Sequence, residues 1–289
     1  MNRIQHPPSR PTGINETLQL LRRHPDCILI AGGTDMFSHQ PAALTAKKFP
    51  QPLIISLDRV EELRRVSRTD RYLEFGATFP LQRILQLGTN ILPPPLRSCL
   101  HSIGTPGLRR LATIGGNLML PESSIALGLV IGILDGTLEI RRSGGSRRIP
   151  VSRFINSGRN LQSGEILTRI RIPNRFPTHA AYQCFGSPYA RSSHPLGICG
   201  IAYAGKAAIE SFQFATATSH GAIVRDRELE ADIIDQRSNM SEKEMHGFAQ
   251  RWQQRLQQED LSTIQIERSV RIFLRFLLSL SYPPQNIAD

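Results

Sequence analysis

Two short segments of this chain combine paired glycines with residues that can hydrogen-bond an anion. Loop 1, Ala31–Asp35, reads Ala-Gly-Gly-Thr-Asp and follows the apolar run Cys27–Ile30, whereas loop 2, Thr113–Asn117, reads Thr-Ile-Gly-Gly-Asn. Glycine accepts positive φ angles and has no Cβ, so a strand that ends in paired glycines brings backbone N–H groups close to a phosphate. The two loops therefore predict a site that holds a pyrophosphate from both sides.

The side chains of both loops suit the same ligand. Thr34 and Thr113 can each donate a hydroxyl hydrogen bond to a phosphate oxygen, and Asn117 can both donate and accept. An asparagine in this position can equally lock a turn. Asp35 is expected to orient its own loop, because its carboxylate would repel a phosphate.

Other phosphate-binding motifs are absent from the sequence. There is no G-x-x-x-x-G-K-[ST] segment, and loop 1 lacks both the G-x-G-x-x-G fingerprint and the helix opening of a Rossmann site. Paired glycines also end strands in proteins that bind nothing. A nucleotide would therefore need a different kind of phosphate-binding site, which has to be identified from the segments around the two loops.

The cysteines and histidines do not form a metal-binding pattern. Cys27, Cys99, Cys184 and Cys199 are far apart without a C-x-x-C pair, and the 8 histidines show no H-x-x-x-H or H-E-x-x-H spacing. We predict no metal site on this chain. An iron–sulfur cluster would have to lie on another chain.

The composition is typical of a globular protein. The chain has 289 residues, of which 40% are hydrophobic and 20% charged, and this length allows two or three domains. The longest apolar stretch, Ile125–Leu134, is too short to cross a bilayer, and the first residues lack the features of a secretory signal. We therefore expect a cytoplasmic location without membrane insertion.

The formal net charge of +11 favours anionic partners in general. A basic nucleic-acid-binding protein is one interpretation of this charge. The arginines lack the interleaved aromatic residues of a single-strand-binding surface, so we expect no nucleic-acid partner and assign most of these arginines to solvated faces.

Short strands and helices are predicted around the loops. Residues 15–24 indicate a helix capped by Asn15, Ser241 with Glu244 forms a capping box, and Pro173–Pro177 marks a linker. The other predicted elements are strands at Cys27–Ile30, Leu53–Leu57, Leu73–Phe79, Thr137–Arg141, Glu165–Ile172, Ile198–Ile209 and Ser211–Ala217, and helices at Pro80–Leu87, Pro94–Ile103, about 241–258 and 263–281.

The order of several segments carries a resemblance to a known family. These segments are loop 1 after its strand, the strand that ends Ile55–Leu57, Phe75–Thr78, Leu108–Leu118 around loop 2, and Gly164–Leu167. In this order they resemble the FAD-binding subunit of the xanthine dehydrogenase and carbon monoxide dehydrogenase family of molybdenum hydroxylases. The resemblance covers nearly the whole chain, but its specific part is the two loops and the segment between them.

The resemblance implies an α+β protein with the PCMH-type FAD-binding fold. Two α/β subdomains would bind FAD, and a C-terminal domain would contain a three-stranded antiparallel sheet and helices. The implied boundaries are residues 1–57 and 58–175 for the two FAD-binding subdomains and 176–289 for the C-terminal domain.

The resemblance also implies which residues contact FAD. Leu29–Met36 and Thr113–Asn117 would hold the diphosphate, Ile103 and Leu167 match family positions that pack against the cofactor, and Ser124 is the nearest polar substitute for a family aspartate. The complete set is Leu29, Ile30, Ala31, Gly32, Gly33, Thr34, Asp35, Met36, Ile103, Thr113, Ile114, Gly115, Gly116, Asn117, Ser124 and Leu167.

Three positions depart from the family pattern. The family aspartate after loop 2 corresponds to Ala126, a lysine at the start of the C-terminal domain corresponds to Gln183, and the common Arg-Asn before loop 2 is Arg109-Arg110. We therefore expect different electrostatics near the flavin ring. Tyr189 could shield the flavin, as an aromatic residue does in some relatives, although an ordinary loop or core tyrosine is the favoured interpretation.

By the same resemblance, the chain is an FAD-binding, electron-transfer subunit of an oxidoreductase complex. A molybdopterin-binding large subunit would hydroxylate the substrate, and a 2Fe-2S small subunit would pass electrons to FAD on this chain and then to NAD or another acceptor. No catalytic acid or base is required here, because the flavin carries the redox chemistry. The alternatives are a standalone FAD-dependent reductase or oxidase and, more distantly, the nucleic-acid-binding protein.

Overall fold

Helices and antiparallel sheets are mixed along the chain, as the α+β prediction requires. The computed structural model describes residues 8–39, 52–186, 194–205, 208–218, 222–234, 236 and 240–281. Within these ranges the predicted fold class is confirmed.

The elements are short in the first two thirds of the chain and longer near its end. The strands are β1 (Ile28–Ile30), β2 (Ile54–Ser56), β3 (Val66–Arg68), β4 (Tyr72–Gly76), β5 (Thr137–Arg142), β6 (Gly145–Pro150), β7 (Ile166–Pro173), β8 (His179–Phe185), β9 (Leu196–Ala204), β10 (Ile209–Ala217) and β11 (Ile223–Val224). The helices are α1 (Ile14–Arg23), α2 (Thr34–His39), α3 (Leu81–Leu85), α4 (Pro94–Ser102), α5 (Pro106–Leu111), α6 (Ile114–Leu118), α7 (Leu127–Ile133), α8 (Val151–Asn156), α9 (Arg227–Ile233), α10 (Glu242–Leu256) and α11 (Thr263–Leu280), with 3-10 turns at Glu61–Arg64 and Pro121–Ile125.

The first helix begins where the sequence analysis did not place it. Its N-cap is Gly13 and not Asn15, and the N–H of Ile14 lies 3.4 Å from Oε1 of Glu62. A carboxylate from another segment thus takes the place of a side-chain cap. The apolar stripe of α1 is buried against β2, as its spacing predicts.

Several short elements were not predicted. Loop 1 does open a helix, α2, contrary to expectation, and loop 2 lies at the start of α6. Helices α5 and α8 and the edge strand β6 were also missed. These helices have at most six residues, which is too short for an apolar period to show in the sequence.

The strands of the described residues form three sheets. β1 and β2 pair in parallel, so their carboxyl ends lie at the same edge, from which loop 1 departs. A five-stranded antiparallel sheet has the order β3-β4-β7-β5-β6. The third sheet has the order β11-β10-β9-β8; it contains three long strands, as predicted, and the two-residue β11 in addition.

The chain divides into two compact units. The first unit comprises Met1–Gly88, Gly104–Leu120 and Gly136–Asn174, and the second comprises Thr89–Ile103, Pro121–Asp135 and Arg175–Asp289. Both loops belong to the first unit. The division into three parts at residues 57 and 175 stays a prediction.

The second unit is built around an aromatic core between its sheet and its last two helices. Trp252 meets Phe214 edge to face, with 5.5 Å between ring centroids. The indole N–H of Trp252 donates to Oγ of Ser269 at 3.0 Å, and this oxygen lies 2.6 Å from Oγ1 of Thr216. The buried polar atoms of this core are therefore paired, which avoids a desolvation cost.

Capping boxes start both long helices. Ser241 and Glu244 form the predicted box at the start of α10, which is thereby confirmed, and Ser262 with Gln265 forms a second box at the start of α11. In each box the serine oxygen accepts an N–H of the first turn, and the longer side chain accepts the N–H of the serine.

Glu165, just before β7, is a buried carboxylate with strong partners. Arg147 of β6 donates Nε to Oε1 at 2.7 Å and Nη2 to Oε2 at 2.8 Å, and the N–H of Gln162 donates to Oε2 at 2.8 Å. The hydrogen bonds from Arg147 lower the pKa of Glu165 below its ordinary value, although burial opposes them.

We predict that Glu165→Gln destabilises the protein in a pH-dependent way. Because the folded pKa is lowered, the carboxylate stabilises the fold fully above its unfolded pKa of about 4.3, and this contribution is lost as the pH falls through the folded pKa. The loss for Glu165→Gln should be about 1 to 2 kcal/mol at pH 7 and shrink below about pH 4. Denaturant titrations at a series of pH values measure it.

Glu61→Gln is the control, because Glu61 is an exposed carboxylate of the same unit. It should change the free energy of unfolding by less than about 0.5 kcal/mol at every pH. A difference between the wild-type chain and Glu165→Gln that stays constant down to pH 3 would contradict the assignment.

Candidate functional site

Loop 1 leaves the end of β1 with an unusual backbone conformation. The carbonyl of Ile30 still accepts the N–H of Leu57 at 2.8 Å, and α2 begins at Thr34. Between them, Gly33 has φ +70°. Residues with a side chain rarely adopt this left-handed backbone conformation, so a glycine is required at this position.

The neighbouring glycine brings the two loop segments into direct contact. A Cβ on Gly32 would overlap the carbonyl oxygen of Leu111 and lie 2.8 Å from its carbonyl carbon. Leu111 is the last residue of α5, two positions before loop 2. Because the obstacle is backbone and not a flexible side chain, only glycine allows loop 1 to approach this closely.

The backbone N–H groups of loop 1 are available to a ligand. Within the described part of the chain, those of Ala31, Gly32 and Gly33 donate to no other group. All three residues are partly exposed. Successive N–H groups on a glycine turn form a concave surface that attracts phosphate oxygens, so loop 1 has the donors that the sequence predicts.

Loop 2 uses its backbone N–H groups differently. The N–H of Gly115 donates to the carbonyl of Ala77 at 2.8 Å, and the N–H of Gly116 donates to Oγ1 of Thr113, the N-cap of α6, at 3.2 Å. A Cβ on Gly115 would lie 2.7 Å from the carbonyl oxygen of Ala77. These glycines therefore allow close packing, and their donors are occupied within the chain.

The groups that loop 2 offers to a ligand are side chains. Oγ1 of Thr113 accepts from Gly116, but its hydroxyl proton remains free to donate to an anion. Asn117 lies one turn along α6, and its N–H donates to the carbonyl of Thr113 at 2.9 Å. A Cβ on Gly116 would lie 3.9 Å from Cβ of Ala31, so the two loops face each other across a short distance.

A short pairing between two segments of the first unit fixes loop 2. The N–H of Leu81 donates to the carbonyl of Ala112 at 2.9 Å, and the N–H of Ile114 donates to the carbonyl of Phe79 at 3.0 Å. Loop 2 is thus attached on either side of Thr113. This attachment was not predicted from the sequence, because it depends on residues that are distant along the chain.

Arg109 is an interior residue, although its sequence context suggested a solvated arginine. It is 5% exposed, and it donates Nε to Oε1 of Gln82 at 3.1 Å and Nη1 to the carbonyl of Gly104 at 2.7 Å. It therefore fixes α5, the helix whose end contacts Gly32. The pair Thr105-Pro106 is a helix-start signal that could have revealed α5 in the sequence.

The remaining predicted site residues are distributed between the units. Leu167 lies in β7 of the first unit and is buried, whereas Ile103 and Ser124 belong to the second unit and are fully buried there. Gln183, which replaces the family lysine, is exposed on β8. Tyr189 lies outside the described residues.

The described part of the chain contains no group of three or more histidine, cysteine, aspartate or glutamate side chains placed to hold a metal ion. None of its helices combines the length and the hydropathy that a bilayer crossing requires.

Part of the chain resembles known oxidoreductases in sequence. Aldehyde oxidase 2 from Cavia porcellus is 32% identical over 177 residues, which cover 57% of this chain and 13% of that protein. The nicotine 6-hydroxylase medium subunit from Paenarthrobacter nicotinovorans is 27% identical over 199 residues, which cover 66% of each chain. The match therefore spans only a small part of the aldehyde oxidase.

Solved structures resemble the chain over nearly its full length. Quinoline 2-oxidoreductase from Pseudomonas putida 86 gives a TM-score of 0.77 at 18% identity, covering 97% of this chain and 98% of the matched chain. Carbon monoxide dehydrogenase from Hydrogenophaga pseudoflava gives 0.76 at 17% identity, with the same coverage. At this identity the likeness establishes the fold, and it confirms the predicted architecture.

The family assignment rests on the sequence. A family model described as the FAD binding domain in molybdopterin dehydrogenase matches residues 5–175, a range that includes both loops and more than half of the chain. The resemblance drawn from the loops is thereby confirmed. This chain belongs to the family of FAD binding domains of molybdopterin dehydrogenases.

Proposed function

We propose that loop 1 and loop 2 hold the diphosphate of FAD and that the chain is the electron-transfer flavoprotein subunit of a molybdenum hydroxylase complex. The observation that carries the proposal is the free backbone donors of loop 1, held against the loop 2 segment through Gly32. A dianionic ligand with oxygens on two phosphorus atoms fits such a pair of loops.

The two loops contribute different donors in this proposal. The N–H groups of Ala31, Gly32 and Gly33 bind phosphate oxygens, and the hydroxyls of Thr34 in loop 1 and Thr113 in loop 2 donate further hydrogen bonds to the diphosphate. Since these donors are preoriented by the backbone, binding costs little reorganisation. FAD, when bound, supplies the transfer of electrons singly or in pairs, and this chain supplies binding and orientation.

The proposed contact set extends beyond the donors. Leu29, Ile30, Asp35 and Met36 flank loop 1, and Leu167 would pack against the cofactor from the first unit. Ile114–Asn117 would shape the wall beside the diphosphate. Ile103 and Ser124, which the resemblance adds to the set, have no exposed surface within the second unit.

The family and the relative named as a medium subunit support the proposed complex. A molybdopterin-binding large subunit would oxidise the substrate, and a 2Fe-2S small subunit would pass electrons to the flavin of this chain. The acceptor after the flavin is NAD or another oxidant. The net charge of +11 suits assembly with acidic partner surfaces.

We predict that the purified chain takes up FAD and that Gly32→Ala weakens this binding at least about tenfold. The added Cβ would overlap the backbone of Leu111, so loop 1 has to move away from loop 2. Fluorescence titration with FAD measures the dissociation constant. Circular dichroism shows whether the fold is retained.

Gly145→Ala is the matched control, because a Cβ at Gly145 meets open space in the same unit. It should leave the FAD affinity unchanged. A wild-type chain without flavin uptake would refute the proposal, and equal affinities of the wild-type chain and Gly32→Ala would refute this site.

We also predict that Thr113→Val raises the dissociation constant for FAD about 10- to 100-fold. The substitution keeps the branched shape but removes a donor to a charged phosphate, an interaction of about 1.5 to 3 kcal/mol. It also removes the N-cap of α6, which costs about 1 kcal/mol of stability.

Thr105→Val separates these two effects. Thr105 caps α5 in the same way, since its Oγ1 accepts the N–H of Leu108 at 3.2 Å, and it is exposed. Both variants should lower the melting temperature by similar amounts, but only Thr113→Val should lose FAD affinity. Equal affinity of Thr113→Val and the wild-type chain would contradict the role of this hydroxyl.

We predict that the chain assembles with the other two subunits of such a complex. Co-expression with a molybdopterin-binding chain and a 2Fe-2S chain from the same source should yield one assembly, in which anaerobic addition of an oxidisable substrate bleaches the flavin absorbance. With Gly32→Ala, the assembly should keep its cluster absorbance but lack flavin. If the isolated FAD-loaded chain never recruits such partners and turns over NADH by itself, a standalone flavin reductase is the better description.

A further inference from the structure

The outer side of α11 carries three arginines between two exposed apolar residues. With 3.6 residues per turn, Ile264, Arg268, Arg271, Arg275 and Leu278 fall within about 80° of the helix circumference, and we call them the α11 stripe. Ile264 and Leu278 are 46% and 45% exposed, and they lie about 21 Å apart along the helix axis. The five residues therefore form one elongated surface.

The opposite side of α11 is packed into the core of the second unit. Phe273 and Phe276 each contact Phe212 and Phe214, with ring centroids 4.9 to 6.1 Å apart. The capping box at Ser262 fixes the start of the helix, which is 18 residues long. The α11 stripe therefore lies on a helix that is held firmly from behind.

The arginines of the stripe differ from an arginine of the neighbouring helix in their partners. Nη2 of Arg255 in α10 lies 2.7 Å from Oε1 of Glu259, four residues along the chain. Arg271 and Arg275 are exposed and form neither an ion pair nor a hydrogen bond with any side chain of the described residues. Their guanidinium groups thus keep all their donors for another molecule.

The charge of the stripe is not compensated within α11. Glu267 is the single acidic residue of this helix, whereas Arg271 and Arg275 are four residues apart, a spacing at which like charges destabilise a helix. The guanidinium carbon of Arg268 lies 4.9 Å from the ring centroid of Phe185 in β8, so an aromatic contact orients this third arginine. The stripe is therefore complementary to a surface that carries carboxylates.

We infer that the α11 stripe is the surface by which this chain docks onto an acidic protein surface of a partner subunit. The partner surface places carboxylates opposite Arg271 and Arg275 and apolar side chains opposite Ile264 and Leu278. Arginine binds carboxylates through a planar fork of donors, and apolar residues beside it exclude water from such contacts. This inference rests on the proposed function, because the partner is a subunit of the proposed complex.

A membrane and a nucleic acid fit the stripe less well than a protein. A helix that lies in a bilayer surface buries a continuous apolar face in lipid, but the apolar face of α11 is already packed in the core. The stripe has no aromatic residue that could stack on bases. A phosphate backbone would also leave Ile264 and Leu278 without an apolar partner.

The double variant Arg271→Glu/Arg275→Glu in the full, FAD-loaded chain tests the inference. The probes are the 2Fe-2S chain and the molybdopterin-binding chain from the same source, each immobilised for binding measurements. For the partner that binds the wild-type chain, the dissociation constant should rise at least about tenfold, because the new carboxylates face carboxylates. The wild-type affinity should fall with rising salt concentration, and that of the variant should depend less on salt.

Arg22→Glu/Arg23→Glu is the matched control. It changes the net charge by the same amount at two exposed arginines of α1. It should leave the dissociation constant for the partner nearly unchanged. Both double variants should take up FAD like the wild-type chain, because neither changes a residue of the two diphosphate loops. Equal effects of the two double variants on partner binding would overturn the inference, since they would trace it to net charge alone.

Leu278→Ser tests the apolar end of the stripe without changing the charge, and it should raise the dissociation constant for the partner about 3- to 10-fold. If the charge reversal prevents folding, hydrogen–deuterium exchange of the wild-type chain decides instead. Exchange in peptides covering residues 263–280 should slow on assembly, and unchanged exchange there would overturn the inference.

Two further outcomes separate this inference from the proposed function. A wild-type chain that takes up FAD but binds neither partner chain would refute the proposed complex, and the docking surface with it. A wild-type chain that assembles as well as Arg271→Glu/Arg275→Glu would refute the docking surface alone. If the double variant instead loses only binding to a single-stranded oligonucleotide or to phosphatidylserine vesicles, the stripe serves one of those ligands and the inference is wrong.

Discussion

The contact between Gly32 and the carbonyl of Leu111 is the constraint on which the candidate site depends. Two backbones approach here so closely that a single methyl group on Gly32 would overlap the carbonyl oxygen. Neither side can yield by rotating a side chain. The contact therefore fixes where β1 delivers loop 1 relative to α5 and loop 2. The buried Arg109 donates hydrogen bonds to Gln82 and Gly104, and these bonds fix α5, which ends at Leu111. The missing side chain of Gly32 and the buried side chain of Arg109 therefore both determine where loop 1 lies relative to α5.

The two glycine pairs look equivalent in the sequence but act differently in the structure. In loop 1 the glycines leave backbone donors free, and Gly33 supplies a left-handed turn. In loop 2 the glycines let α6 lie against Ala77, while their N–H groups bond within the chain. A rigid partner with satisfied donors can orient a ligand without rearranging when it binds. On the proposed function, loop 1 would offer backbone donors, and loop 2 would offer a fixed wall with the side chains of Thr113 and Asn117.

Features that depend on neighbours along the chain were predictable from the sequence, and features that depend on distant contacts were not. The capping box at Ser241 and the buried strands follow local patterns, and the structure contains them. Helices α2 and α6 were missed because they are too short to repeat an apolar period, and α5 was missed although Thr105-Pro106 marks its start. The N-cap of α1 and the burial of Arg109 were misjudged because Glu62, Gln82 and Gly104 lie far from them in sequence. The two loops are recognisable as glycine pairs in the sequence, but their different use of backbone donors is visible only in the tertiary structure.

The departures from the family pattern are not spread evenly over the two units. Ala126 and Gln183, which replace the family aspartate and lysine, both belong to the second unit, whereas the glycines and threonines of the diphosphate loops belong to the first. On the proposed function, affinity for the cofactor comes mainly from the first unit, since the phosphate contacts carry the charge. On the proposed function, the groups that would bind the diphosphate are therefore those in which this chain keeps the family pattern.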